Sequence, residues 1–203
     1  MDYLNFAAAL LLTLTAGICF FGSGSQVLTR SARTLLALFF ASAALLHLAI
    51  LLRRASLTWE PWSGISGTLS CVPSLLAFAA AIQLVRWRRI WIAPALAAAF
   101  LAALLSLEPT LFWVPTLLWV PALLTLAGVS LRIFEHEGKP ASRLFAGGIA
   151  LLALSMPPGF FRSFLDDAEA RQSAALIFIA SLRLAAVCLI LVSSWALYRS
   201  SDL

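Results

Sequence analysis

The chain has 203 residues, of which 62% are apolar and only 11% charged, with a formal net charge of +5. A water-soluble domain of this size carries charge on about a quarter of its residues because its surface must be hydrated, so the composition excludes such a domain and leaves lipid as the solvent. The positive charge does not point to nucleic acid, because the basic residues lie between long apolar runs rather than on one solvated face.

A helix pairs its backbone groups internally and needs about 20 apolar residues to cross a hydrocarbon core of about 30 Å. In chain order the charge-poor runs are residues 4–21, 34–52, 67–85, 90–107, 111–131, 144–161 and 173–198. The expected fold is all-α: a polytopic bundle of seven transmembrane helices making one membrane domain over residues 1–203, with no Gly/Ser-rich or Pro-rich linker to divide it. The first run stands where a signal peptide would, but the first charge is Asp2 and no Lys or Arg precedes Arg30. Without a basic leader it is expected to be a retained helix.

Orientation follows from the basic residues of alternate loops. Arg30, Arg33, Arg86, Arg88, Arg89, Arg132, Lys139, Arg143 and Arg199 fall on one side, against Arg53, Arg54, Arg162 and Arg171 on the other. The richer side should be cytoplasmic, which puts the N-terminus outside, the C-terminus inside, and the protein in the cell (inner, cytoplasmic) membrane. Arg53 and Arg54 go against the rule. Tryptophan favours the headgroup level, and Trp59, Trp62 and Trp113 fall at expected outer boundaries while Trp87, Trp91 and Trp195 fall at inner ones. Trp119 falls inside the fifth run, where it packs or lines a cavity.

Within the runs, Pro73, Pro94, Pro115, Pro121, Pro157 and Pro158 each remove a backbone donor, so kinks are expected there. Ala95, Ala99 and Ala103 share one face of the fourth run and mark it for close packing, since helices in lipid approach through small residues.

Charge at bilayer depth costs about 2.5–3.5 kcal/mol on insertion scales and usually faces the bundle interior. Arg183, in the last run, is the clearest instance. One reading is a cation for an anionic or carbonyl ligand, the other an arginine paired with Glu108 or with backbone carbonyls. His47, in the outer half of the second run, suits a proton relay, a quinone contact or a haem ligand, and equally a hydrogen-bonded structural histidine. By depth, His47, Ser70, Ser74, Glu108, Ser155 and Arg183 could form an outward-facing ligand pocket beneath Pro157 and Pro158.

No cofactor or metal is expected. Membrane haem generally wants a second axial ligand, and the other histidine, His136, falls in a loop. A retinal Schiff base needs a lysine in a span, whereas the single lysine, Lys139, is in a loop. Glu135, His136 and Glu137 are adjacent, so they do not share a helix face as ligands. Cys19, Cys71 and Cys188 lack metal-site spacing and read as small apolar residues. Gly22 to Ser25 reads GSGS, superficially like a hydrolase turn, but no histidine is placed to serve as its base.

These features favour a non-catalytic integral membrane module, either a sensory or receptor-like bundle or an accessory subunit of a membrane complex. Its expected partners are the lipid bilayer and another membrane protein or further copies of itself. No soluble stretch follows the last run, so an aqueous step is expected to fall to another protein. The alternative is a small solute or lipid transporter, because seven spans allow two parallel three-helix units joined by the fourth. A lipid- or quinone-modifying enzyme ranks last, since only Asp166, Asp167 and Glu169 cluster and an exposed acidic loop explains them.

Overall fold

The structure, a computed structural model, describes residues 2–22, 29–55, 61–85, 92–105, 114–135, 140–155 and 169–199. Among these residues it is all-helical. The helices are α1 (Asp2–Phe21), α2 (Arg30–Ala55), α3 (Pro61–Val85), α4 (Ile92–Leu105), α5 (Val114–Glu135), α6 (Pro140–Leu154) and α7 (Glu169–Arg199).

Their ends differ from the apolar runs because hydropathy marks what lipid covers, whereas helices start and stop on backbone chemistry. α2 begins at Arg30 rather than at residue 34 because Thr29 caps it: the Ala32 N–H donates to Thr29 Oγ1 at 3.3 Å, and the Arg33 N–H to the Thr29 carbonyl at 3.1 Å. α3 and α6 open on Pro61 and Pro140, at the first helical position where a missing N–H costs nothing. The same logic corrects the expected kinks at Pro94 and Pro115. Both fall in the first turns of α4 and α5, so neither removes a helical hydrogen bond. Pro73 and Pro121 are interior, and Pro157 and Pro158 lie outside the described residues.

Packing runs α1 to α2, α2 to α3, α3 to α5, α5 to α6, α6 to α7, and α7 back to α1. Six helices therefore close a ring, and α4 stays outside it, against α3 and α5. Contacts fix the directions. Arg33 donates to the Gly22 carbonyl where α1 turns into α2, and Gln83 Nε2 donates to Ser31 Oγ at 2.9 Å, joining the end of α3 to the start of α2. Val114 and Leu118 at the start of α5 meet Ala102 and Ala103 at the end of α4, beside Cys71 and Leu75 of α3. So α3 and α5 run parallel, α4 runs against both, and the bundle has a first end, where α1, α3, α5 and α7 begin, and a second end.

The ring has a filled centre. Phe40 of α2 meets Phe145 of α6 edge-on across it, with centroids 6.4 Å apart, amid fully buried Leu12, Phe39, Leu123, Ile149 and Ile190. Trp119 is 1% exposed and belongs to this core, so of the two sequence readings it follows the packing one.

On α1 and α4, which residues face in and which face out is the reverse of a soluble bundle. The inner stripe of α1 is Asn5, Ala8, Ala9, Leu12, Thr15, Ala16 and Cys19, while Phe6, Leu10, Leu14 and Phe21 are exposed. On α4, Ala99 and Ala102 face in and Leu96, Phe100, Leu101 and Leu104 face out. Small residues inside and large apolar ones outside suit a medium that is itself apolar, because helix contact then depends on close approach. Tyr3–Phe21, Arg30–Ala49 and Leu176–Leu197 are long and apolar enough to cross a membrane. The other helices carry shorter apolar stretches, Cys71–Val85, Ala93–Leu105, Leu117–Arg132 and Pro140–Leu154. The protein is membrane-associated on this evidence.

Candidate functional site

α6 ends just before Pro157 and Pro158, and neither proline can donate an N–H to the carbonyls behind it. The last carbonyls of a helix are unpaired and carry the negative end of its dipole. Arg183 meets this need: it is 7% exposed, and its Nη2 donates to the Ser155 carbonyl at 2.9 Å. Ser155 turns its own Oγ to the Leu152 carbonyl at 2.8 Å. A charge-assisted hydrogen bond contributes about 1.5–3 kcal/mol. A cation at a helix C-terminus adds up to about 2 kcal/mol in partly buried geometry. Together these offset the insertion cost of about 2.5–3.5 kcal/mol, which explains how the charge is tolerated about 10 Å inside the apolar stretch that begins at Leu176.

Close alignment of α6 and α7 holds that geometry. A Cβ on Gly148 would meet Ile190 Cγ1 at 2.7 Å, the Ala186 carbonyl at 3.1 Å and the Ile190 nitrogen at 3.2 Å, so only glycine allows this approach. Ser155 with Arg183 and Gly148 with Ile190 keep one antiparallel register.

His47 of α2 is fully buried. Its Nδ1 lies 2.8 Å from the Ala43 carbonyl, and since a carbonyl only accepts, Nδ1 carries the proton. In a neutral ring Nε2 is then an acceptor, and it is buried with no hydrogen-bond partner among the described residues. Counted along α2, α6 and α7 from the second end, His47, Ser155 and Arg183 stand at about the same height, so an acceptor, a helix terminus and a cation lie at one level. A group that donates, such as a carboxylic acid, a hydroxyl or water, matches the His47 acceptor.

Of the sequence candidates, Arg183 and Ser155 are in contact, and His47 stands at their height on α2. Ser74 lies on α3. It is buried and lines a cleft of about 200 Å³ between α3, α4 and α5, with Leu75, Phe78, Ala95, Ala98, Ala99, Leu118, Pro121, Ala122 and Thr125. Glu108 and the side chain of Ser70 lie outside the described residues, as do His136, Glu137 and most of the GSGS run. Among the described residues no three His, Cys, Asp or Glu side chains gather as metal ligands.

Sequence reading missed two features. One is the cleft, whose signal was the meeting of the Ala95 and Ala99 face with Pro121. The other is a set of buried serines at the second end, Ser130, Ser142, Ser193 and Ser194, of which Ser130 and Ser194 have Oγ atoms without a partner among the described residues. In comparisons with known proteins, no family model, no curated protein and no solved structure matches this chain.

Proposed function

We propose that the chain is a seven-span integral membrane module, N-terminus outside and C-terminus cytoplasmic, that does no chemistry itself. It serves as a sensory or receptor-like bundle or as an accessory subunit of a membrane complex. The observation that carries this reading is a core of bulky side chains: Phe39, Phe40, Leu123, Ile149 and Ile190 are fully buried, and Arg183 and His47 stand at one height among them. Such an interior suits a body that holds or reports a ligand better than one that passes polar solute. The ligand site is Arg183 with His47. Ser70, Ser74 and Glu108 are its further candidates.

The test is purification of the tagged protein from native membranes in mild detergent, with identification of co-purifying chains and a visible spectrum. A stoichiometric membrane partner and a colourless preparation are expected. Isolation as a lone chain that, in vesicles, takes up a solute would overturn the reading.

One observation favours the transporter alternative. Exchanging α1 for α5, α2 for α6 and α3 for α7 maps every neighbour pair of the ring onto another neighbour pair. With α4 outside, this is the adjacency that two parallel three-helix units joined by a linker would have. Under that reading Arg183→Leu abolishes uptake while the protein stays folded.

A further inference from the structure

α4 closes on the bundle at only one end. Near the first end Ala99 and Ala102 bury against Cys71, with Leu75, Val114 and Leu118 beside them. Toward the second end α4 offers only Ala95 and Ala98, too small to fill the space, while the interior Pro121 shapes the facing wall of α5. The cleft left between them is lined by aliphatic and aromatic carbon, with Ser74 and Thr125 as its hydroxyls. Thr125 Oγ1 is already engaged, donating to the Pro121 carbonyl at 2.7 Å.

An apolar cavity stays dry and takes apolar molecules. This one is partly open, and α4 beside it presents Leu96, Phe100 and Leu104 outward, so what reaches it at bilayer depth is lipid. About 200 Å³ is too little for a helix, whose axis must lie 8–10 Å from its neighbours, and suits a single flexible chain.

Charge selects among lipids. Arg132 is exposed and lies eleven residues after Pro121, which returns it to within about 20° of the same face of α5. It stands about 10 Å beyond Thr125, toward the second end, where a headgroup would sit over a chain in the cleft. We propose that the cleft between α3, α4 and α5 holds one acyl chain of an anionic phospholipid, with its phosphate at Arg132. This site is separate from Arg183 and His47 and needs only that these helices lie in the bilayer.

The test uses the full chain in mild detergent, supplied with dioleoyl phosphatidylglycerol or dioleoyl phosphatidylcholine, with bound lipid counted by native mass spectrometry. Phosphatidylglycerol is retained in preference. Arg132→Gln reduces its retention about fivefold, the factor one basic side chain contributes to anionic-lipid binding, and leaves phosphatidylcholine unchanged. Ala98→Trp fills the cleft and removes both lipids. Ala95→Leu narrows it independently should the tryptophan disturb folding, and lowers retention of both. Arg30→Gln, at the same end but on α2, changes nothing. Equal retention of the two lipids by the unaltered protein would overturn the proposal. So would retention undiminished in folded Ala98→Trp and Ala95→Leu, or a loss with Arg30→Gln as large as with Arg132→Gln.

Discussion

α6 meets α7 backbone to side chain over Gly148, whereas α4 meets α3 and α5 over alanines that leave a cleft. Both contacts are made of small residues. The difference lies in what stands opposite: Ile190 and the Ala186 carbonyl reach fully into the gap at Gly148, while nothing large on α3 or α5 fills the gap at Ala98. Small residues permit close approach, and the partner surface decides whether it becomes packing or a site.

The largest effect should come from one substitution made in both places. Ala186 is fully buried against α6, so Ala186→Leu overpacks that interface and costs about 3 kcal/mol in detergent unfolding. Ala98→Leu grows into empty space and should shift stability by less than about 0.5 kcal/mol. Equal losses would erase the contrast.

Within α6 the neighbouring glycines sharpen it. Gly148→Ala forces Ile190 to move and should cost about 1–2 kcal/mol. Gly147, whose added Cβ would meet nothing within 4 Å, should tolerate alanine with a gain of about 0.5–1 kcal/mol in helix preference. Thermal melts of the two variants, read against each other, test this.

The smallest effect is expected at His47. Leucine there removes a buried acceptor that has no partner among the described residues, so His47→Leu should leave the melting temperature unchanged or slightly raised. A small carboxylic acid that stabilises the unaltered protein should lose its effect in this variant. A marked drop in melting temperature would mean that the ring serves structure instead.

Much of this was legible in the sequence because hydropathy and charge act locally. The apolar runs anticipate all seven helices, and depth alone groups His47, Ser155 and Arg183 with Ser70, Ser74 and Glu108. Three things depend on tertiary neighbours and were not legible. Arg183 is met by the end of α6, and a helix terminus is visible only once the helix is placed beside it. Ser74 has the depth of the site but turns to another cleft. The exclusion of α4 from the ring follows from packing, since its alanine face reads the same whether it closes fully or leaves a gap.

The central claim is that all seven helices cross the bilayer, and α4 is its hardest case, because 14 residues span only about 21 Å of helix. With Cys19, Cys71 and Cys188 replaced, single cysteines at Arg88 and Thr110, on either side of α4, can be probed in intact cells with a membrane-impermeant maleimide. The account predicts labelling of Thr110→Cys in intact cells and of Arg88→Cys only after permeabilisation. Labelling of both positions in the same condition would contradict it, and the ring would then have to be read without a seventh span.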